Sequence, residues 1–297
     1  MLPVVFDPAY ELDWPGHVFP AEKYELVAEQ LVREGIVGPG GFHVPEPMGR
    51  EGVLRVHEAS YLDALDAIAA GDAPWDPRFE VPVNRSVVDA FYLACGGTSL
   101  AAGLALEHRW ALSVGGGFHH AYPDHGEGFC LLNDVAVAAR RLVDDGVVGR
   151  ILVVDADVHQ GNGTAFIFRD QPLVFTFSIH QEDLYPIKEQ SDLDVGVWGG
   201  TGDEEYLSRL DAALRQISGR FQPEIVFYLA GADPFERDQL AQLRLTREGL
   251  RRRDALVLDA AESWGAPLVG LLAGGYSIDV ADVVGIHVDL ARALDDR

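Results

Sequence analysis

Ile151-Leu152-Val153-Val154-Asp155-Ala156-Asp157-Val158-His159-Gln160-Gly161-Asn162-Gly163 runs four apolar residues straight into a cluster of candidate metal ligands. An uninterrupted Ile/Leu/Val run predicts a strand buried on both faces, as in a parallel sheet covered by helices, and Gly161 and Gly163 end it. Asp155, Asp157 and His159 are spaced i, i+2, i+4, so on extended backbone their side chains leave the same side of the strand. Two carboxylates and an imidazole so close together would repel and desolvate one another unless a positive charge stood among them, and a divalent cation supplies it. Mixed oxygen and nitrogen ligands suit zinc, and also iron or manganese, better than a thiolate-preferring metal or calcium. The alternative is local: Asp155 or Asp157 caps the following loop, and His159 satisfies a backbone group.

The same pattern, an apolar run ending in polar residues, recurs along the chain. Pro3 to Phe6 and Ala111 to Val114 read as strands, as do Leu173 to Ile179 ahead of His180, Ile225 to Ala230 ahead of Asp233, and Pro267 to Leu272 ahead of Tyr276. Helical spacing marks Ala21 to Glu34, Ser60 to Ala70 with Ser60 as its cap, Val87 to Leu106, Asn133 to Asp144, Glu204 to Ile217, Thr246 to Trp264 and Asp282 to Leu294. Strands alternating with helices predict an α/β fold with a central, mostly parallel sheet flanked by helices, whose site forms outside the carboxyl ends of the strands. Turn signals at Gly38-Pro39-Gly40-Gly41 and Pro45-Glu46-Pro47, and a rim-forming loop over Gly71 to Pro82, separate the elements. No linker divides the chain, so residues 1–297 read as a single domain.

Composition narrows the function. The formal charge of −24 is spread along the chain, and Lys23 and Lys188 are the only lysines, which argues against direct nucleic-acid binding and fits either cationic partners or simple solubility. Two cysteines, Cys95 and Cys130, cannot build a disulfide framework or a structural zinc site, and Cys95 reads as core beside Gly96 and Gly97. The start of the chain lacks the basic and hydrophobic segments of a secretion signal, and no run of eighteen apolar residues occurs, so the expected location is cytoplasmic and not membrane-bound.

A second constellation lies at Gly115-Gly116-Gly117-Phe118-His119-His120. Adjacent side chains point apart on regular elements, but a glycine-bent loop lets both histidines reach one pocket, where they supply a base and an acid near neutrality. Gly126-Glu127-Gly128-Phe129-Cys130 forms a flexible turn carrying an aromatic side chain. His57, just before the Ser60 helix, reads as a loop histidine that fixes the helix start.

Five motifs in order, Gly-Gly-Phe-His-His at 116–120, Glu-Gly-Phe-Cys-Leu-Leu-Asn-Asp at 127–134, Asp-Ala-Asp-Val-His-Gln-Gly-Asn-Gly at 155–163, Ala-Gly-Ala-Asp-Pro at 230–234 and Gly-Gly-Tyr at 274–276, resemble the histone deacetylase superfamily, especially its class IV-like bacterial members. The resemblance covers nearly the whole chain. It implies an arginase/deacetylase fold and zinc-dependent hydrolysis of an acylated amine, either acyl-lysine or a small molecule such as an acylated polyamine. By position it implies Asp157, His159 and Asp233 as zinc ligands, His119 and His120 as the base and acid pair, and Tyr276 as donor to the oxyanion. Asp155 is similar to the partner of His119, and Asn162 stands behind His120 where class I enzymes carry an aspartate, which leaves His120 less basic. Asp155, Asp157, His159, Ser178 and Ile179 resemble a monovalent cation site, usually potassium. Phe118, Gly128, Phe129, Tyr185 and Leu240 match positions lining the acyl-lysine tunnel.

The rim aspartate that holds substrate main chain in many members has no counterpart in Glu80-Val81-Pro82-Val83, which puts peptide recognition in doubt. Two other functions fit parts of the pattern. Ureohydrolysis on the same fold needs a second metal, but Gln160 and Asn162 stand where further carboxylates would help; a silent binding module would not need every catalytic position filled.

Overall fold

In the computed structural model, which describes residues 1–297 apart from Pro15, Pro39 and Gly40, seven strands form one sheet. Pro39 and Gly40 of the expected 38–41 turn lie outside the described residues. The elements run β1 (Val4–Val5), α1 (Lys23–Arg33), α2 (Arg50–Val53), α3 (Ala59–Ala70), α4 (Arg85–His108), β2 (Trp110–Ser113), α5 (Asp134–Asp144), β3 (Ile151–Asp155), α6 (Asn162–Phe168) and β4 (Val174–Gln181). β5 (Leu193–Val197), α7 (Asp203–Ser218), β6 (Ile225–Leu229), α8 (Arg247–Trp264), β7 (Leu268–Leu271) and α9 (Val280–Asp295) complete the chain. Strand order is β1-β2-β7-β6-β3-β4-β5, and every pair is parallel, so the sheet is wholly rather than mostly parallel.

Period-two alternation on two apolar faces explains why the strands read as continuous hydrophobic runs. Leu152, Val154, Val226 and Tyr228 enter one core cluster, which also takes the buried sides of α1, α7, α8 and α9. Ile151, Val153, Ile225, Phe227 and Leu229 enter the other, with residues of α4 and α5. Each face is thus covered by helices, and the carboxyl ends of the strands form a common edge. α4 is long and apolar enough to cross a membrane by length and composition, yet 72% of its most apolar window is buried here, as befits a core helix. Its Gly96 and Gly97 permit close approach: a Cβ at Gly96 would collide with the Glu46 carbonyl, and one at Gly97 with the Tyr10 hydroxyl.

Several local expectations change. Ser60 lies inside α3, whose cap position is Glu58 with no side-chain cap bond. The ring of His57 does not fix its own helix; its Nδ1 meets the Tyr122 carbonyl at 2.9 Å and its Nε2 accepts from Asn133 N, so it pins the start of α5. Asn133 caps that helix through its side chain, accepting from Ala136 N, a contact worth about 1 kcal/mol. His180 lies within β4 rather than beyond it, because the strand continues to Gln181 to pair with β5. β5, half-exposed at the sheet edge with the pattern Leu-Asp-Val-Gly-Val, lacks the buried apolar signature that marks the other strands.

Candidate active site

β3 ends at Asp155, and the chain then bends, so Asp157 and His159 are presented by a loop rather than by extended backbone. The loop after β6 brings Asp233 to them. One ligand atom from each of Asp157, His159 and Asp233 lies within 4.8 Å of the others, all buried, and this is the one such trio found among the described residues. His159 Nδ1 lies 3.2 Å from Asp157 Oδ1 and 3.5 Å from Asp233 Oδ2. Asp233 Oδ2 is buried with no hydrogen-bond partner among the described residues, and an acceptor left bare in this way asks for a cation. Burial pushes the Asp233 carboxyl up to about 7, with Asp157 adding to the effect. Burial opposes charge on His159, but the carboxylates of Asp157 and Asp233 beside the ring outweigh it and raise it to about 10. A protonated imidazole between two carboxylates is the charge balance that a metal ion would supply instead, so the donor set fits a mixed oxygen and nitrogen site of the zinc type.

Two further contacts hold these loops. Gly274 N donates to Asp157 Oδ2 at 2.8 Å, and a Cβ on Gly274 would strike Asp233 Oδ2 and stand 2.6 Å from Asp157 Oδ2. The fully buried Arg253 donates to the Gly231 carbonyl at 2.6 Å and the Ala156 carbonyl at 3.3 Å, tying both ligand loops to α8, while Asp254 balances its charge. Arg253 was not evident in the sequence because its arginine neighbours on α8 are solvent-exposed and give it no distinguishing pattern.

The two histidine rings, tilted 57° to one another, meet at their Nε2 atoms. His119 Nε2 lies 3.1 Å from His120 Nε2, His119 Nδ1 is 2.7 Å from Asp155 Oδ2, and His120 Nδ1 is 2.7 Å from Asn162 Oδ1. Burial disfavours charge on both rings. At His119 the charges of Asp155 and Asp157 overcome it and lift the ring to about 9. At His120 burial is reinforced by the neighbouring His119 and His159, and its pKa falls well below the ordinary value, the Asn162 contact opposing the shift. The loop that presents them is held by Asp134, whose carboxylate accepts from Gly117 N at 3.0 Å and Phe118 N at 2.8 Å. The motif contained Asp134, but only the folded chain reveals what it grips.

Tyr276 follows β7 and is 7% exposed, its ring 6.3 Å from that of His159. The turn before it is braced by Lys23, fully buried on α1, whose Nζ donates to the Ala273 carbonyl at 2.5 Å. Burial lowers this lysine to about 8. A lysine on an amphipathic helix gives no sequence signal of such a role.

A cavity of about 200 Å³ opens over the trio, lined by Glu80, Gly128, Phe129, Leu184, Tyr185 and Leu240, with His120, His159 and Tyr276 at its floor. Gly128, Phe129, Tyr185 and Leu240 therefore line it as expected. Phe118 does not: it packs on Phe91 with centroids 4.5 Å apart and lines a smaller inner chamber of about 20 Å³ with Phe19, Gly117 and Tyr276. Glu80 and Leu184 were missed, and Glu80 supplies an acid at the mouth of the cavity, where no aspartate stands. Ser178 is the register partner of Asp155 across β3 and β4, and Asp157 N donates to Asp155 Oδ1 at 3.1 Å, so the five residues of the expected monovalent site are neighbours.

Comparison with known proteins gives the family and the fold. The model of the Histone deacetylase domain matches residues 17–290. The chain belongs to the histone deacetylase family. Histone deacetylase 2 of Arabidopsis thaliana is 32% identical over 301 residues, which cover 96% of this chain and 77% of the plant protein. The fold is shared with a histone deacetylase homologue from Aquifex aeolicus, at a TM-score of 0.86 and 24% identity over 100% of this chain and 84% of that one. It is shared too with the acetylpolyamine aminohydrolase from Burkholderia pseudomallei, at a TM-score of 0.83 and 22% identity over 99% of this chain and 98% of that one. The family comprises deacetylases and related amidohydrolases.

Proposed function

We propose that this histone deacetylase family member is a zinc-dependent hydrolase that removes a short acyl group, acetyl first, from an amine carried on a flexible stem, either acyl-lysine or an acylated polyamine. The observation that carries the reading is the bare Asp233 Oδ2 within the Asp157, His159 and Asp233 trio, set beside the facing histidines at the floor of an apolar-walled cavity. Zinc held by those three residues would polarise the acyl carbonyl and lower the pKa of a water towards about 7.

The chain's own residues supply the rest. Phe129, Leu184, Tyr185 and Leu240 offer apolar walls to a methylene stem whose charge the acyl group has removed. His120, held neutral, is the base that takes the proton of the attacking water, and His119, whose charge Asp155 supports, is the acid of the pair. The same pair returns a proton to the leaving amine. Tyr276 donates its hydroxyl to the developing oxyanion. The inner chamber, about one water molecule in size, favours acetyl over longer acids. Asp155, Asp157, His159, Ser178 and Ile179 hold a potassium ion whose charge offsets the excess of buried carboxylates. Residues 1–297 act as one catalytic domain, since the first strand pairs with β2 and α9 packs on α1. Two free buried thiols, Cys95 and Cys130, suit a reducing, cytoplasmic setting.

The test is release of acetate and of longer acids from acyl-lysine peptides and acylated polyamines, with zinc-depleted and zinc-restored protein side by side. Zinc-restored turnover, greatest for acetyl, is the expected result. Zinc bound without turnover on any substrate overturns the hydrolase reading in favour of a binding module.

A further inference from the structure

Glu127 opens the 127–134 motif and has no role in the proposed chemistry, yet its carboxylate reaches the histidine pair through one intermediary, Asn162. Its Oε1 accepts from Asn162 Nδ2 at 2.9 Å and from the Tyr185 hydroxyl at 2.9 Å. Its backbone is held by Cys130 in a tight turn, with N–H to carbonyl bonds in both directions at 3.1 and 2.9 Å. Asn162 is 1% exposed, so each of its polar atoms depends on a protein partner: Oδ1 on His120 Nδ1, and Nδ2 on Glu127 and the Tyr122 hydroxyl.

An asparagine amide is nearly symmetric in shape, and turning it over exchanges donor for acceptor. With Oδ1 towards His120, the ring must carry its proton on Nδ1 and keep a lone pair on Nε2. With Nδ2 there instead, Nδ1 would have to accept and the neutral ring would carry its proton on Nε2, on the face that meets His119. The Tyr122 hydroxyl, which donates to Glu189 Oε1 at 3.4 Å, favours the orientation with Oδ1 towards His120 only weakly, because a hydroxyl can also turn to donate to the amide. A carboxylate only accepts, and Glu127 does choose.

We infer that Glu127 is a positioning residue, which locks the Asn162 amide so that His120 keeps its Nε2 lone pair towards the reacting groups, and which holds Tyr185 as a wall of the cavity. This rests on the hydrolase reading for its consequence in turnover, but the tautomer it sets can be observed without turnover. The two contacts also separate kinetically. The amide governs kcat through His120, and Tyr185, whose ring centroid lies 5.3 Å from that of His120, governs KM through the substrate stem.

The experiment compares wild type, Glu127→Gln, Glu127→Leu, Asn162→Asp and the double variant Glu127→Gln/Asn162→Asp, all zinc-loaded. Glutamine keeps an acceptor oxygen for both donors and retains most of kcat, whereas leucine loses it by roughly tenfold or more. Asn162→Asp sets carboxylate against carboxylate and is impaired, but in the Glu127→Gln background the aspartate gains a donor partner and activity returns, so the two changes are non-additive. Nitrogen-15 NMR of the His120 ring, identified by its loss in His120→Gln, shows Nδ1–H in wild type and Glu127→Gln and a mixture in Glu127→Leu. Additive effects, or an unchanged His120 tautomer in Glu127→Leu, would overturn the assignment. If no acylated amine is turned over by wild type, the functional reading falls, and the NMR comparison alone decides the role of Glu127.

Discussion

The floor of the cavity and its rim are built on opposite terms. At the floor, Asp157, His159, Asp233, His119 and His120 are all buried, leave strand ends or glycine-bent turns, and are braced by Gly274, Asp134, Arg253 and Lys23. At the rim, Glu80 and Tyr185 are exposed side chains on loops, with Tyr185 at 40% exposure, and Leu184 and Leu240 are half-buried. A buried constellation tolerates little change, because each charge depends on its partners; a solvated rim can vary at small cost. On the proposed function, chemistry is set at the floor and choice of substrate at the rim.

The contrast is broken most directly by Asp157→Ala, which should abolish stoichiometric zinc and lower kcat/KM by about 10³-fold or more; zinc analysis with acetate release checks both. Retained zinc would mean that the trio is not the metal site. Tyr276→Phe should keep zinc and lower kcat by about 10²- to 10³-fold, on the scale of losing one oxyanion donor. Unaltered turnover would place the oxyanion donor elsewhere.

A third test uses pH. In metal-free protein Asp233 is raised to about 7 and His159 to about 10, so each binds a proton more tightly folded than unfolded. Their contribution to stability is therefore complete at low pH and is lost as pH rises, for Asp233 from about 4 to about 7 and for His159 from about 6.5 to about 10. Zinc displaces those protons, so its stabilisation should grow over pH 6 to 9, by up to about 1.4 kcal/mol per pH unit for each proton displaced. Calorimetric melting with zinc and with chelator at several pH values measures the difference, and other buried histidines largely cancel in it. A zinc-dependent shift that is flat with pH would contradict the ligand set. The smallest effect belongs to the rim: Glu80→Gln should leave kcat unchanged and raise KM for acetylated polyamines about threefold, with less effect on neutral peptides, as steady-state kinetics at low salt would show.

Legibility followed the same division. Asp155, Asp157 and His159 were readable because an apolar strand ran into them, and the glycine-rich turn at His119 and His120 was readable because it interrupts a strand pattern. Glu80 fell in a proline-rich stretch without period. Phe118 sat next to the key histidine yet faces the inner chamber, since the bend at Gly116 and Gly117, with φ of 122° and 90°, turns it onto Phe91.

By itself the sequence determined the alternation of buried strands and amphipathic helices, and with it a parallel sheet carrying its chemistry at the carboxyl edge, because hydrophobic period and strand-end polarity are local properties. Only the tertiary structure decided that Lys23 braces the turn before Tyr276, that Arg253 ties two ligand loops together, and that Glu127 stands behind Asn162. Those contacts join residues 22 to 250 positions apart, and their energy comes from burial and hydrogen-bond geometry that no local pattern encodes.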